Sequence, residues 1–307
     1  MAKTLFITGG SGFIGNHLLE ALRKEDFGIR CLARNAARAV RFTEKGFEAH
    51  LGNVLDRESL NGCMAGVDTV VHLVGIIQVR GEFTFERVHV KGTENLVNEA
   101  VKAGVKRFFY QSSLGVSLSS SSQFLGTKAK AEDLVRESGI PYTIFRPSLV
   151  IGEQDGFTDR LKALIQLGPV VPVAGGGNAK FQPMDVDDWV RCFISVINKK
   201  DAIGKTYEFG GPEHLTQNEI VTLMMDAMGI KRRIVHLPVS FARAGVPFLG
   251  LAQGLGKFIG KKIPAVTAEQ LLLLGIDNIC DVNSVKNLFG FDPIAFKESI
   301  RKFIPKG

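Results

Sequence analysis

The stretch Thr8-Gly9-Gly10-Ser11-Gly12-Phe13-Ile14-Gly15 follows directly on the apolar run Leu5-Phe6-Ile7 and constrains this chain more than any other feature. Gly9, Gly12 and Gly15 recur every third position, and Gly10-x-Gly12-x-x-Gly15 overlaps them. A strand over Lys3–Thr8, this turn, and a helix read over His17–Lys24 and starting inside the turn together suit a pyrophosphate. Glycines permit a tight turn and close backbone approach, while a helix start offers unpaired N–H donors and the positive end of the dipole. Gly9, Ser11, Gly12, Phe13, Ile14 and Gly15 are therefore the expected phosphate-facing residues. A ligand-free glycine turn is the alternative, and the strand–turn–helix context argues against it.

Further strands are read at Ile29–Ala33, Thr69–Val74, Arg107–Gln111 and Tyr142–Phe145. Helical spacing of apolar residues marks Thr93–Lys102 and Lys128–Ser138. Strand–helix alternation at this rhythm implies right-handed crossovers and a parallel sheet buried on both faces. The expected fold class is α/β: a Rossmann-like, doubly wound parallel sheet with a smaller mixed C-terminal lobe. The first domain is placed at residues 1–150 and the second, a substrate or partner lobe, at 151–307. In that lobe Phe157–Leu167 reads as a helix, Pro169–Gly177 as an irregular crossing and Asp187 as the N-cap of Trp189–Ile197. Thr216-Gln217-Asn218-Glu219 reads as a capping box.

The 307 residues are 45% hydrophobic and 22% charged, as in ordinary globular chains, with a net charge of +7. The cations are scattered, the densest run being Lys231-Arg232-Arg233, so anionic small ligands fit and no nucleic-acid partner is expected. Cys31, Cys63, Cys192 and Cys280 lack close partners and read as reduced thiols of a cytoplasmic or matrix-like compartment. The six histidines show no metal-ligand spacing, and no signal peptide is expected ahead of the first strand. Ala244–Gly256 is too short to span a bilayer. It reads as a lid or core helix, or else as a segment lying on a membrane surface; in the alternative of a membrane-surface or protein-interaction module, 235–262 is the contact.

The second strand ends in Arg34, 19 residues after Gly15, where an acidic residue would grip the ribose hydroxyls of NAD. An arginine instead suits a 2′-phosphate, with Arg38 adding a second charge. NADP(H) is thus preferred over NAD(H). Asn53 and Val54 are expected near the adenine, and Leu73, Val74 and Gly75 near the adenosine ribose.

The glycine spacing, Gln111-Ser112-Ser113 after the fifth strand, and Arg146-Pro147 after the sixth resemble the extended and atypical short-chain dehydrogenase/reductases. The resemblance implies cofactor contacts at Ser112, Lys128 and Pro147. It also implies chemistry on a Tyr-x-x-x-Lys helix, whose i, i+4 spacing puts both groups on one face. The matching segment here is Phe124-Leu125-Gly126-Thr127-Lys128. Lysine is present, but Phe124 stands where the family has tyrosine, and a phenyl ring exchanges no proton. Lys128 and Ser113 remain as catalytic candidates, with Thr127 and His89 as other proton carriers. His89-Val90-Lys91-Gly92-Thr93, Ile144-Phe145-Arg146-Pro147-Ser148, Phe181-Gln182-Pro183 and Gly204-Lys205-Thr206-Tyr207-Glu208-Phe209 narrow the resemblance. They are similar to the nucleotide-binding accessory subunits of respiratory complex I and their bacterial relatives, over roughly residues 3–225. That subgroup implies a structural, sensory or assembly role with a protein partner. The alternative is an active NADP-dependent oxidoreductase or sugar-nucleotide epimerase/dehydratase acting on a small molecule.

Overall fold

The computed structural model describes residues 2–238 and 267–304. Residues 239–262 of the segment read as a membrane contact, and with them Ala244–Gly256, lie outside the described residues. Two compact units divide the chain: Met1–Arg146 with Val190–Glu208, and Pro147–Trp189 with Phe209–Gly307. The sequence reading drew one boundary at 150 and did not foresee that Val190–Glu208 rejoins the first unit.

The first unit is built on β1 (Lys3–Thr8), α1 (Phe13–Leu22), β2 (Phe27–Ala33), α2 (Ala36–Glu44), β3 (Glu48–Leu51), β4 (Thr69–His72), α3 (Gly92–Lys102), β5 (Arg107–Gln111), α4 (Gln123–Glu137) and β6 (Tyr142–Pro147). Its sheet runs β3-β2-β1-β4-β5-β6, all parallel, with the strand Lys205–Phe209 beside β6. The order reverses between β1 and β4, and a doubly wound sheet opens its ligand crevice at such a switch point. The central strands are covered on both faces, hence their unbroken apolar character: Leu5, Phe6 and Ile7 are fully buried, as are Phe108, Phe109 and Tyr110. Phe109 stands edge-on to Phe145 and Phe193 at 4.8 and 4.7 Å. Such pairs add directional packing to the area they bury.

Several boundaries differ from the sequence reading. α1 begins at Phe13, because Gly12 takes the N-cap in an extended conformation. α2 was not anticipated; Asn35 caps it by accepting the Arg38 N–H. β4 stops at His72, leaving Leu73, Val74 and Gly75 as backbone beyond the sheet. α4 begins at Gln123, five residues earlier than expected, capped by the Ser122 hydroxyl. A π-helical turn, Glu86–Lys91, leads into α3.

Among the described residues the second unit holds three two-stranded sheets, with a core that includes Ile165, Val171, Ile220, Met224, Phe296 and Ile300. Part of the stretch expected to be irregular, Val170–Ala174, is a strand paired in parallel with Arg233–Leu237. The Thr216/Glu219 capping box is present. The helix Val186–Ile197 begins ahead of Asp187, and Asp185 rather than Asp187 performs the cap, accepting the Asp187 N–H at 2.8 Å. Buried Asp185 also binds Ser299 Oγ (2.6 Å) and Lys302 Nζ (3.1 Å), tying down Phe296–Arg301. Among the described residues, no helix is long and apolar enough to cross a membrane, and no cluster of His, Cys, Asp and Glu could hold a metal.

Candidate functional site

The glycine turn has the form that a phosphate cradle needs. Gly9 has a φ of +79°, which L-residues rarely adopt, and a Cβ there would lie 2.9 Å from the Leu73 carbonyl carbon. Gly15 packs onto the turn itself: a Cβ there would sit 2.3 Å from Gly9 O. Gly12 N–H donates to Gly9 O (2.9 Å). No side chain of the N-cap residue Gly12 caps α1, which leaves its first-turn N–H groups without that acceptor, as anion sites at helix starts require. Leu73 and Val74 form the wall of this turn, and Gly75 borders Lys128, with Nζ 3.4 Å from a Cβ placed on it. The residues present therefore fit a dinucleotide pyrophosphate.

At the end of β2, Arg34 is exposed and lies over the Phe83 ring at 5.7 Å. Neither Arg34 nor Arg38 has an ion pair among the described residues. Desolvation, then the positive charge of Arg38, lowers the Arg34 pKa. Two uncompensated guanidiniums this close favour a dianion between them. Asn53 is partly committed: its Oδ1 accepts the Leu55 N–H (3.1 Å), leaving its amide nitrogen for a ligand. Val54 departs from expectation, since its side chain belongs to the core and its carbonyl accepts from Asn95 (2.9 Å). Only its backbone can face an adenine.

Lys128, 4% exposed, donates to Gln111 O at 2.7 Å and lies 4.8 Å from the Tyr110 ring centroid. Burial lowers its pKa to about 7, against the opposing pull of Glu132. No hydrogen bond joins it to Ser113, whose hydroxyl reaches the Leu114 carbonyl at 3.5 Å. Ser112 gives its N–H to Phe145 O (2.7 Å), while its buried hydroxyl has no hydrogen-bond partner among the described residues. Pro147 is the last residue of β6. Phe124, one turn before Lys128 on the same helix, stands edge-on to His89 (5.5 Å) and Phe85 (6.2 Å).

His89 is held as a neutral ring. Its Nε2 accepts the Ile76 N–H (3.1 Å), so Nδ1 carries the proton and donates to Thr127 Oγ1 (2.9 Å), which in turn donates to Gln123 O (2.7 Å). His72 is locked likewise, accepting from Thr8 Oγ1 and donating to Thr93 Oγ1 (3.1 Å). Burial, reinforced by Lys128, pushes His89 down to about 2 and His72 to about 3. The hydroxyl of Thr127 is spent on Gln123 O, so neither it nor His89 is poised to move a proton near neutrality. Burial also pushes the Cys31 and Cys63 thiols up to about 12, making them inert.

The sequence reading missed the loop-holding role of His89, the Phe83 ring under Arg34, and the buried carboxylate of Glu132. Glu132 was within reach, since it lies four residues after Lys128 and so returns to the same helix face.

The depressed Lys128 pKa has a measurable consequence. Between pH 7 and the ordinary lysine value of 10.5, the unfolded chain holds a proton that the folded chain lacks. Stability of the dinucleotide-free protein should therefore rise with pH from 7 to 8.5. In Lys128→Met the urea midpoint should be flatter across that window; an unchanged slope would show that Lys128 titrates normally.

The mitochondrial NADH dehydrogenase (ubiquinone) 1 alpha subcomplex subunit 9 of Arabidopsis thaliana is 30% identical over 247 residues, 78% of this chain and 61% of that protein. The ceramide reductase of Caulobacter vibrioides is 27% identical over 245 residues, 76% of this chain and 73% of that one. The chain thus spans about three fifths of the length of the Arabidopsis relative. In fold it is similar to an NADPH-dependent quinone oxidoreductase of Escherichia coli: TM-score 0.76, 21% identity, covering 98% of this chain and 100% of that one. The sequence pattern of the NmrA-like family matches residues 1–264, beyond residue 225 where the resemblance read from the motifs ended. The chain belongs to the NmrA-like family, within the atypical short-chain dehydrogenase/reductases.

Proposed function

We propose that this chain binds a nicotinamide dinucleotide, NADP(H) in preference to NAD(H), as a held structural or sensory ligand rather than a substrate in turnover. Arg34 beside Arg38 carries the preference: two cations just past β2 and in α2 without carboxylate partners among the described residues. The glycine turn would take the pyrophosphate on the N–H groups of α1, and Gly75 leaves room beside Lys128 for the ribose end. A bound nicotinamide supplies hydride chemistry, and the tyrosine that would hand over the accompanying proton is missing from this site. Phe124 offers no proton, and His89, His72 and Thr127 are committed to internal hydrogen bonds. The relative named as a respiratory-complex subunit supports a protein partner of that kind.

A second reading, an active oxidoreductase or epimerase, draws on Lys128, whose pKa of about 7 would let it exchange a proton near neutrality, with Ser113 or water as the relay. Replacing Phe124 by tyrosine separates the two. If the pocket is otherwise competent, Phe124→Tyr gains NADPH-dependent carbonyl or quinone reduction absent from the parent; a parent that already turns over contradicts the structural reading.

The cofactor preference is tested by Arg34→Ala. Losing charge-assisted bonds worth about 1.5–3 kcal/mol should weaken NADPH roughly 10- to 100-fold. NADH affinity should stay within about threefold, because no comparable bond is lost. Equal losses for both dinucleotides would remove Arg34 from the 2′-phosphate.

A further inference from the structure

Arg34 leaves the sheet at the end of β2, and Phe83 lies on the loop that follows β4. β2 and β4 are the two neighbours of β1, the strand that runs into the glycine turn. At the ~4.8 Å spacing of adjacent strands, the ends of β2 and β4 stand roughly 10 Å apart. The Arg34 guanidinium, 5.7 Å over the Phe83 ring, therefore joins the two sides of the strand that carries the turn.

The ring is held from its own side. Phe83 N–H donates to Arg80 O (3.0 Å) and Arg80 N–H to Phe83 O (3.2 Å), closing a tight turn around Gly81, whose φ is +56°. Glu82, the carboxylate next to the ring in sequence, pairs with Arg87 at 3.1 Å and not with Arg34. Phe83 is half-buried while Arg34 is exposed. Among the described residues the Arg34 guanidinium makes no hydrogen bond or ion pair, so the ring is the contact that fixes it. Arg38, one helical turn on, repels it. A guanidinium resting on an aromatic face keeps its N–H edge free for a forked acceptor.

We propose that Phe83 is a specificity-determining residue for the dinucleotide: it positions Arg34 so that the guanidinium fork meets the 2′-phosphate. The inference rests on the NADP(H) reading above and adds to it a side chain that acts through Arg34. NADH carries a neutral hydroxyl in place of that phosphate, makes no ion pair with Arg34, and should not respond.

The test is a double-mutant cycle on the full chain emptied of nucleotide, read as the ratio of NADPH to NADH affinity by calorimetric titration. Phe83→Leu should lower that ratio roughly three- to tenfold, the range of a cation–ring contact that loses water when the phosphate arrives. Phe83→Met, which keeps the bulk without a ring, should match it, and Phe83→Tyr should stay within about twofold of the parent. In the Arg34→Ala background Phe83→Leu should leave the ratio unchanged, because no guanidinium remains to be positioned. A parental ratio in both Phe83→Leu and Phe83→Met would overturn the proposal, as would an equal fall with and without Arg34. So would a fall in Phe83→Tyr as large as in Phe83→Leu. A parent that binds both dinucleotides alike, or an Arg34→Ala protein that keeps the preference, would instead overturn the cofactor reading, and this proposal with it.

Discussion

Gly15→Val is expected to lower NADPH affinity by at least about 100-fold, equivalent to roughly 2.7 kcal/mol. The steric cause is direct. A Cβ on Gly15 would lie 2.3 Å from Gly9 O and 2.6 Å from Gly10 Cα, and both of those atoms are backbone. No side-chain rotation relieves such contacts, so the turn must move away from α1. The same movement separates the first-turn N–H groups from the position where Gly9 and Gly12 hold the loop. Overpacking of this kind costs about 1–3 kcal/mol of stability as well. Calorimetric titration with circular dichroism as a folding check would read both effects. A folded Gly15→Val protein that binds NADPH like the parent would mean that the dinucleotide does not lie on this turn.

The largest loss of stability is expected from Arg146→Ala. The Glu132 side chain is completely buried, and Arg146 meets both of its oxygens, Nε at 2.8 Å and Nη2 at 2.6 Å. Arg136 approaches the same carboxylate, and Glu208 binds the outer face of Arg146 at 2.8 Å. Burial by itself would raise the Glu132 pKa and is the largest single influence. The hydrogen bonds and charge of Arg146, with Arg136, oppose it and hold the carboxyl below its ordinary value. Removing one partner of a buried pair leaves a charge without compensation, at a cost of about 3–5 kcal/mol. Arg136 remains in place, so the lower end of that range is expected.

The pH dependence has a definite sign. A carboxyl depressed in the folded state contributes stability above its unfolded pKa and loses it as pH falls through the folded value. The gap between parent and Arg146→Ala should therefore be widest at neutral pH and should narrow below the ordinary glutamate value. Urea unfolding at pH 7 and pH 4 measures it. A gap that widens in acid would show that Glu132 is not held as a carboxylate by Arg146.

What the sequence made legible follows the range of the interactions concerned. β1 and β5 were read to the residue because central parallel strands are apolar throughout and need no distant partner to be recognised. The glycine turn was legible for a similar reason, since its shape depends on φ at Gly9 and on missing side chains at Gly12 and Gly15. α2 was missed although Asn35 at its N-cap was a usable local signal. Val170–Ala174 was not legible: Pro172 argues against a strand, and only the distant partner Arg233–Leu237 makes it one. Arg34 directly follows β2, and Phe124 and Lys128 lie one turn apart on α4. The neutral state of His89 depends on the Ile76 N–H and on Thr127, contacts 13 and 38 residues apart that no local pattern encodes.

The most direct test begins with the protein as purified: denature it, identify any nucleotide released, and titrate the emptied protein with NADPH and NADH. The account predicts NADPH at one per chain, slow to exchange and bound at least about tenfold more tightly than NADH, a difference of roughly 1.4 kcal/mol. Equal affinity for the two dinucleotides, or binding of neither, would contradict it.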